Sequence, residues 1–259
     1  MKLAEARTHI LNECEEPSSA DRIRGNYENK IRFFSPPEKI YETFASVKTD
    51  DGKLVMSYQD FFKALTPYNY SAAKDSKAYF DKFSPDILRV ADSNNDGVIS
   101  FPEFFFFITI LQLPPNLLAR EFAQRDSEGM TKDEFSQALT QLRKKTLLGT
   151  KQTDKGFVPD ARLVSATEAE FLATNKEICE ELFRGKERFT MQDFLAFRQR
   201  LKTALRHYEF HQYGLRDEAR ETISVQDFAK SLLVCLPYNQ ASAYLKRIQG
   251  LQLEGEVSF

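Results

Sequence analysis

The chain has no tryptophan, and its 259 residues include only 10 glycines, 10 prolines and three cysteines. So few turn-forming residues do not suit a protein built from many tight hairpins. Cys14, Cys179 and Cys235 cannot make a self-contained disulfide framework, and none stands in CxxC spacing, so buried thiols are expected. Charge of one sign is not in excess either. There are 36 Lys+Arg against 38 Asp+Glu, a formal net charge of −2, which excludes a dedicated nucleic-acid surface with its clustered cations. Long hydrophobic runs are missing too. The most apolar run, Phe104 to Leu113, is bounded by Glu103 and Pro114 and is half of the roughly 20 residues that span a membrane. The opening MKLAEARTHILNECEEPSS has early acids and no continuous apolar core, so no secretory signal is expected. No Ser-His-Asp order, P-loop, Gly-rich dinucleotide turn or kinase signature occurs, and no enzyme activity is expected.

What is abundant is phenylalanine, 23 residues with 10 tyrosines, and a repeat explains much of it. An apolar residue is followed by Ser or Thr, two variable residues, an acid and Phe. The copies are Met56-Ser57-x-x-Asp60-Phe61, Ile99-Ser100-x-x-Glu103-Phe104, Met130-Thr131-x-x-Glu134-Phe135, Phe189-Thr190-x-x-Asp193-Phe194 and Ile223-Ser224-x-x-Asp227-Phe228. A sixth begins at Val257-Ser258-Phe259. Successive Ser/Thr positions lie 43, 31, 59, 34 and 34 residues apart, and spacings in the thirties suit a tandem helix–loop–helix unit. One copy alone is only a helix-capping box, as are Ser35-Pro36-Pro37-Glu38 and Ser165-x-x-Glu168. Five complete copies with apolar flanks mark a reused supersecondary unit.

The periodicity predicts helices near 20–33, 36–46, 58–65, 72–82, 84–91, 101–112, 115–125, 132–144, 166–183, 191–213, 225–235 and 238–249. The helix after Glu103 is apolar nearly all round and is expected to lie centrally. Residues 145–164 break the pattern and read as a long connection. The expected fold class is mainly α: tandem EF-hand units with short paired β-strands, plus a small N-terminal α+β domain. Three segments are expected: an N-terminal domain over 1–83 with a degenerate hand, an EF-hand lobe over 84–235, and a helix with the truncated start of a further hand over 236–259.

Only one copy carries metal ligands upstream of its cap. From Asp92 the chain reads D-S-N-N-D-G-V-I-S-F-P-E, which matches D-x-[DN]-x-[DN]-G-x5-E in full. Asp92, Asn94 and Asp96 supply hard oxygens at loop positions 1, 3 and 5, and Val98 offers its backbone carbonyl at 7. Ser100 at 9 acts through a water, and Glu103 at 12 closes the site with both carboxylate oxygens. Gly97 takes the left-handed turn, and Pro102 sits in the first turn of the exiting helix, where its missing N–H costs nothing. Oxygen-only ligation points to Ca2+. The other copies lack a set of ligands. The loop ending at Glu134 is three residues short when counted from Asp126, and the windows ending at Asp60, Asp193 and Asp227 begin with Thr49, Leu182 and Arg216. Lys186 and Arg188 fall among the would-be ligands of the 182–193 window. The shortened loop is expected to pair with the calcium loop through Met130 and Ile99.

Two weaker candidates remain. His207 and His211 lie one helical turn apart, a spacing that can hold zinc, but Glu209 points elsewhere and no third ligand is visible, so exposed polar residues are expected. The segment Arg22 to Phe34 interleaves cations with aromatics, readable as a solvated helix face or as a contact for an acidic partner.

The stretch NYENKIRFFSPPEKIYETFA (26–45) resembles the N-terminal segment of the mitochondrial calcium uptake (MICU) family. GVISFPEFFFFITILQLPP (97–115) and RFTMQDFLAFRQRLKTALRHYEF (188–210) extend the similarity in the same order. The resemblance implies a calcium-sensing gatekeeper of the mitochondrial calcium uniporter, peripheral to the inner membrane in the intermembrane space. It implies partners too: the uniporter pore subunit, its small essential regulator, and a family member in a homo- or heterodimer. Tyr27, Lys30 and Arg32 match the residues that meet an acidic ring at the pore. Three departures accompany it. Animal members place the N-lobe calcium loop in the hand matching 126–134, a second calcium hand would lie beyond Phe259, and the targeting sequence is absent, so a truncated form is expected. The competing readings are a generic calcium sensor or buffer and a structural adaptor.

Overall fold

A helix that begins after Ser or Thr needs its first N–H groups satisfied, and the repeat supplies the acceptor three residues earlier. In the computed structural model, which describes residues 17–70, 79–80, 83, 86–124, 129–144, 167–213, 215, 220–251 and 253–259, this is where the helices start. They are α1 (Ser19–Phe34), α2 (Pro37–Phe44), α3 (Tyr58–Leu65), α4 (Ile87–Ala91), α5 (Phe101–Gln112), α6 (Pro115–Gln124), α7 (Lys132–Lys144), α8 (Glu168–Phe183), α9 (Met191–His211), α10 (Val225–Ser231) and α11 (Tyr238–Gly250). Short strands complete the described order: β1 (Val47–Lys48), β2 (Leu54–Val55), β3 (Thr222–Ser224) and β4 (Glu256–Ser258). The fold is mainly α, as the periodicity predicts. Ser57 with Asp60 and Ser100 with Glu103 form reciprocal capping boxes. Thr167 with Glu170 caps α8, Ser165 lies outside the described residues, and Pro36 rather than Ser35 takes the N-cap of α2, without a side-chain bond. The expected helix over 225–235 ends at Ser231, ahead of Pro237. The helix expected over 72–82, apart from 79–80, and the connection over 145–164 lie outside the described residues, as do residues 126–128 of the shortened loop.

The hands pair in sequence order, which corrects the expected partnership of Ile99 with Met130. Met56 bridges Ile99, and Met130 bridges Phe189. Each bridge is a reciprocal pair of backbone bonds, 3.0 and 2.7 Å in the first and 2.9 and 2.8 Å in the second. Ile223 pairs with Val257 in the β3–β4 ladder, so the start of the sixth copy is the partner of the fifth. The physical reason is packing rather than proximity in sequence, since Met130 lies nearer to Ile99 along the chain. The first hand, degenerate as a metal site, still offers an apolar residue before its cap and a short extended segment, and Tyr41 of α2 bonds to the carbonyls of both Leu54 and Ile99, which holds that segment against loop 92–103.

The described chain divides into two units that cut across the three expected segments. One comprises Lys30–Pro67 and Asp75–His211, the other Met1–Asn29, Tyr68–Lys74 and Gln212–Phe259. The larger unit has a phenylalanine-rich core. Phe61, Phe104, Phe135 and Phe194, the residues just after four of the capping acids, are all fully buried. Phe61 meets Phe107 edge-on at 5.4 Å, and Phe135 meets Phe189 at 5.2 Å, the offset geometries aromatic pairs prefer. Helix α5 is buried along most of its length and packs on α2, α4 and α8. Its all-round apolarity thus marks a central core helix; among the described residues no single helix is long and apolar enough to cross a membrane.

The smaller unit is organised by asparagines. Asn26 Oδ1 accepts from the Tyr70 hydroxyl and from the Tyr238 N–H that opens α11, both at 2.9 Å. Asn29, buried, accepts from the Tyr68 N–H at 2.8 Å and donates to the Val234 carbonyl at 3.3 Å. Phe228 departs from the pattern of its four counterparts: it is 41% exposed.

Gly129 precedes the Met130–Phe189 bridge with φ +105°, and a Cβ there would lie 2.7 Å from the Phe189 carbonyl oxygen. That neighbour is backbone and cannot yield. Gly129→Ala is therefore expected to destabilise the fold by about 1–3 kcal/mol in urea denaturation. Gly250→Ala, with open space around it and no positive φ, is expected to stay within about 0.5 kcal/mol of the parent; equal effects at both sites would refute the close-approach argument.

Candidate metal centre

The loop 92–103 is built by two helix ends. Asp92 is the C-cap of α4, and its N–H bonds back to the Leu88 carbonyl; Ser100 is the N-cap of α5. Between them the chain makes two left-handed steps, at Asn95 (φ 55°) and Gly97 (φ 83°). Asparagine tolerates that region and glycine has no Cβ to oppose it. The turn directs backbone N–H groups inward. Asp92 Oδ1 accepts from the Asp96 N–H at 3.0 Å, and Oδ2 accepts from the Gly97 N–H at 2.9 Å. Asp96 Oδ1 accepts from the Val98 N–H at 3.0 Å, and Asn94 links to Asp96 through both its side-chain amide and its carbonyl oxygen.

Glu103 clasps the loop from both ends. Its Oε1 accepts from the N–H and hydroxyl of Ser93, both at 3.0 Å. Its Oε2 accepts from the N–H and hydroxyl of Ser100, both at 2.8 Å. Asp92 is 3% exposed and Glu103 1%, whereas Asn94 and Asp96 face outward. Burial pushes the Glu103 carboxyl above its ordinary value, while the bonds from Ser100 and Ser93 pull against that rise.

Two contributors escape the loop motif. Ser93 occupies a variable position of the pattern, and only the three-dimensional clasp shows its bonds. Tyr58 comes from the paired hand: its hydroxyl donates to Asp92 Oδ2 at 2.6 Å. Burial raises the Tyr58 phenol, and the hydrogen bond and charge of Asp92 raise it further. Tyr58 stands in the preceding repeat copy, one residue after the cap Ser57, where no spacing rule announces a bond to the next hand. Tyr41, fully buried, donates to the Ile99 carbonyl at 2.8 Å and lies 3.2 Å from that of Leu54, so it ties the bridge between the two hands to α2.

The residues fit an oxygen-ligated divalent cation. Asp92, Asn94, Asp96, Ser100 and Glu103 carry hard oxygens within one loop, and Val98 contributes its backbone. No Lys or Arg nitrogen lies within ion-pair distance of Asp92 or Glu103 among the described residues. The equivalent acids of other hands are occupied by the chain itself. Asp193 Oδ1 receives Lys186 Nζ at 2.6 Å, and Asp227 Oδ1 receives the buried Lys230 Nζ at 2.8 Å. Asp60 Oδ2 receives the Ser46 hydroxyl at 2.6 Å and the Ser57 N–H at 3.0 Å. In the Asp193 and Asp227 hands an internal ammonium does what a cation would do.

The other sequence candidates separate. Tyr27, 51% exposed, and Lys30, also exposed, stand one turn apart on α1. Arg32 does not join them: its Nε and Nη2 donate to the Lys63 carbonyl at 3.1 and 3.0 Å, and its guanidinium lies 4.4 Å from the Phe44 ring centroid. His207 and His211 are half-buried rather than exposed, because aromatic rings surround them. Cys179 is buried and its thiol is pushed up to about 12 by desolvation, but Cys235, expected to be buried, is exposed because α10 ends four residues before it. Cys14 lies outside the described residues.

Comparison with known proteins follows this geometry. No protein-family model matches the chain. The calcium uptake protein, mitochondrial, of Arabidopsis thaliana is 28% identical over 247 residues, covering 89% of this chain and 48% of that protein. The calcium uptake protein 1, mitochondrial, of Danio rerio is 26% identical over 242 residues, covering 82% and 47%. The chain thus spans about half the length of the curated relatives it matches. A solved structure described as the apo structure of the mitochondrial calcium uniporter protein MICU2 aligns with a TM-score of 0.47 at 19% identity, over 86% of this chain and 64% of that one.

The Lys186–Asp193 pair makes a measurable statement about a silent hand. The ammonium and the Thr190 N–H hold the Asp193 carboxyl down to about 2. A depressed carboxyl stabilises the fold above its unfolded value near 3.8, and that contribution fades as pH falls from there towards 2. In Lys186→Met the Asp193 side-chain carbon signal is expected to titrate closer to 3.8 by NMR, with no calcium site gained. An unmoved titration would show that Lys186 does not hold the acid.

Proposed function

We propose, on the premise that this chain is a relative of the mitochondrial calcium uptake proteins, that it is a calcium-sensing regulator of the mitochondrial calcium uniporter. The observation that carries the reading is the pair of buried carboxylates, Asp92 and Glu103, held by N–H and O–H donors where other hands hold a lysine. Ca2+ bound there supplies the positive charge that lets three carboxylates approach one another. The chain's own residues do the rest. Tyr58 keeps Asp92 aimed into the loop from the paired hand, and Gly97 turns the backbone so that its N–H groups face the first ligand. Glu103 joins the loop to α5, so any change at its carboxylate acts on a helix at the centre of the core.

Sensor hands of this kind work at about 10⁻⁷–10⁻⁵ M calcium. Tyr27 and Lys30, exposed on α1, are the contact for an acidic ring at the pore, with Arg32 anchoring the end of that helix rather than reaching the partner. The setting is the intermembrane space, peripheral to the inner membrane, with a family member as dimer partner. The ligands are Asp92, Asn94, Asp96, Val98, Ser100 and Glu103, one site in this chain.

Calorimetric titration of the chain with calcium is expected to give one site, lost in Glu103→Gln. Absence of binding heat in the parent chain refutes the sensor. Capture on the immobilised uniporter pore is expected to weaken when calcium is added, and to fall at least tenfold in a Tyr27→Ala/Lys30→Glu variant without calcium. One-site calcium binding with no calcium-dependent change in pore binding would leave a generic sensor and sink the uniporter reading.

A further inference from the structure

We propose that His207 and His211 form a second metal site in this protein, chemically distinct from the calcium loop and selective for divalent transition metals such as Zn2+ and Cu2+. Both residues lie on α9, one turn apart, and their rings converge: the Nε2 atoms are 3.2 Å apart and the centroids 4.4 Å. Imidazole nitrogens bind zinc at about 2.0–2.1 Å, and two nitrogens 3.2 Å apart around such an ion subtend about 103°, close to tetrahedral. The two side chains therefore already stand at ligand spacing. A shared proton in an Nε2–H···Nε2 bond occupies the position a cation would take.

The surroundings favour this use of the pair. His207 Nδ1 lies 2.9 Å from the Tyr79 hydroxyl. A metal on Nε2 leaves Nδ1 to carry the ring proton, and Tyr79 oxygen is placed to accept it, the outer-shell arrangement that fixes a ligating imidazole. Binding asks one proton rearrangement of His211, which releases the proton at Nε2 and takes one at Nδ1; the ring stays neutral and no net charge is lost. Aromatic rings restrict both imidazoles. Phe83 lies 5.1 Å from the His207 ring and 4.5 Å from that of His211, and Tyr79 lies 5.7 and 5.2 Å away. Half-buried imidazoles held among rings lose little freedom on taking an ion. Water completes the coordination.

Selectivity follows from donor chemistry. Imidazole suits zinc, copper and nickel, while calcium and magnesium seek hard oxygens. The loop at 92–103 is an oxygen site and the α9 pair a nitrogen site, so the two ions do not compete. The pair does not depend on the uniporter reading and can be tested on the chain alone.

Zinc is titrated calorimetrically into metal-stripped protein held at saturating calcium. One equivalent is expected to bind, with Cu2+ binding tighter than Zn2+. His207→Gln and His211→Gln are each expected to weaken zinc at least tenfold while leaving calcium binding and the far-UV circular dichroism unchanged. Tyr79→Phe, which keeps both ligands, is expected to weaken zinc by about tenfold. Should a histidine variant fold poorly, Co2+ added to the parent chain reports directly: visible bands of nitrogen-ligated, four-coordinate cobalt support the site. Loss of zinc binding on adding calcium, zinc binding that survives the double histidine variant, or a featureless cobalt spectrum overturns it.

Discussion

The acid three residues after each Ser/Thr cap is the group on which this structure depends, because one carboxylate must serve two ends. It caps the exiting helix by accepting the N–H of the capping residue, and it lies where the twelfth ligand of a calcium loop belongs. Capping alone stabilises a helix by about 1 kcal/mol; burying a carboxylate costs more unless every oxygen is met. What meets the remaining oxygen differs from hand to hand. Lys186 and Lys230 meet it in two hands. At Glu103 the donors are two serines, neutral groups that a cation can displace.

Pairing places that acid. A single hand exposes the apolar residue before its cap and the edge of its short extended segment, and a second hand covers both. Met56 and Ile99, each fully buried, do this for the loop 92–103. The degenerate partner is not passive, since Tyr58 reaches across to Asp92. A hand without metal ligands of its own thus helps to hold Asp92 of its neighbour in place. The strand bridge, the Tyr41 bonds behind it and the Tyr58 hydroxyl give three physical links between the hands, and only one passes through a ligand.

Much of this was legible in the sequence, for local reasons. The helices starting at Tyr58, Phe101 and Lys132 follow from caps and periodicity, and the loop 92–103 from a spacing that allows few alternatives. The phenylalanine after each capping acid reads as core, and four of five are. What could not be read was which hand pairs with which. Ile99 and Met130 carry the same apolar signal, and choosing between upstream and downstream neighbours requires knowing where intervening helices pack. Ser93 and Tyr58 were invisible because their roles are bonds across the loop and across the pair, with no spacing rule to announce them. The resemblance over 26–45 has a partial physical account: Asn26 and Asn29 hold the smaller unit through bonds to Tyr68, Tyr70, Val234 and Tyr238, a constraint no charge pattern reveals.

Arg32 and Lys30 show how position on one helix divides residues that look alike. Both are cations in the same basic segment, two residues apart, and a helix turns about 200° between such positions. Arg32 therefore faces the Lys63 carbonyl and the Phe44 ring, spending its planar fork and its cation–π face inside the fold. Lys30 is left in solvent beside Tyr27, one turn away. The same turn of helix explains His207 and His211, which four residues bring to one side of α9 while the intervening Glu209 falls on another. Spacing on a helix decides which side chains can act together, and composition decides only what they could do once there.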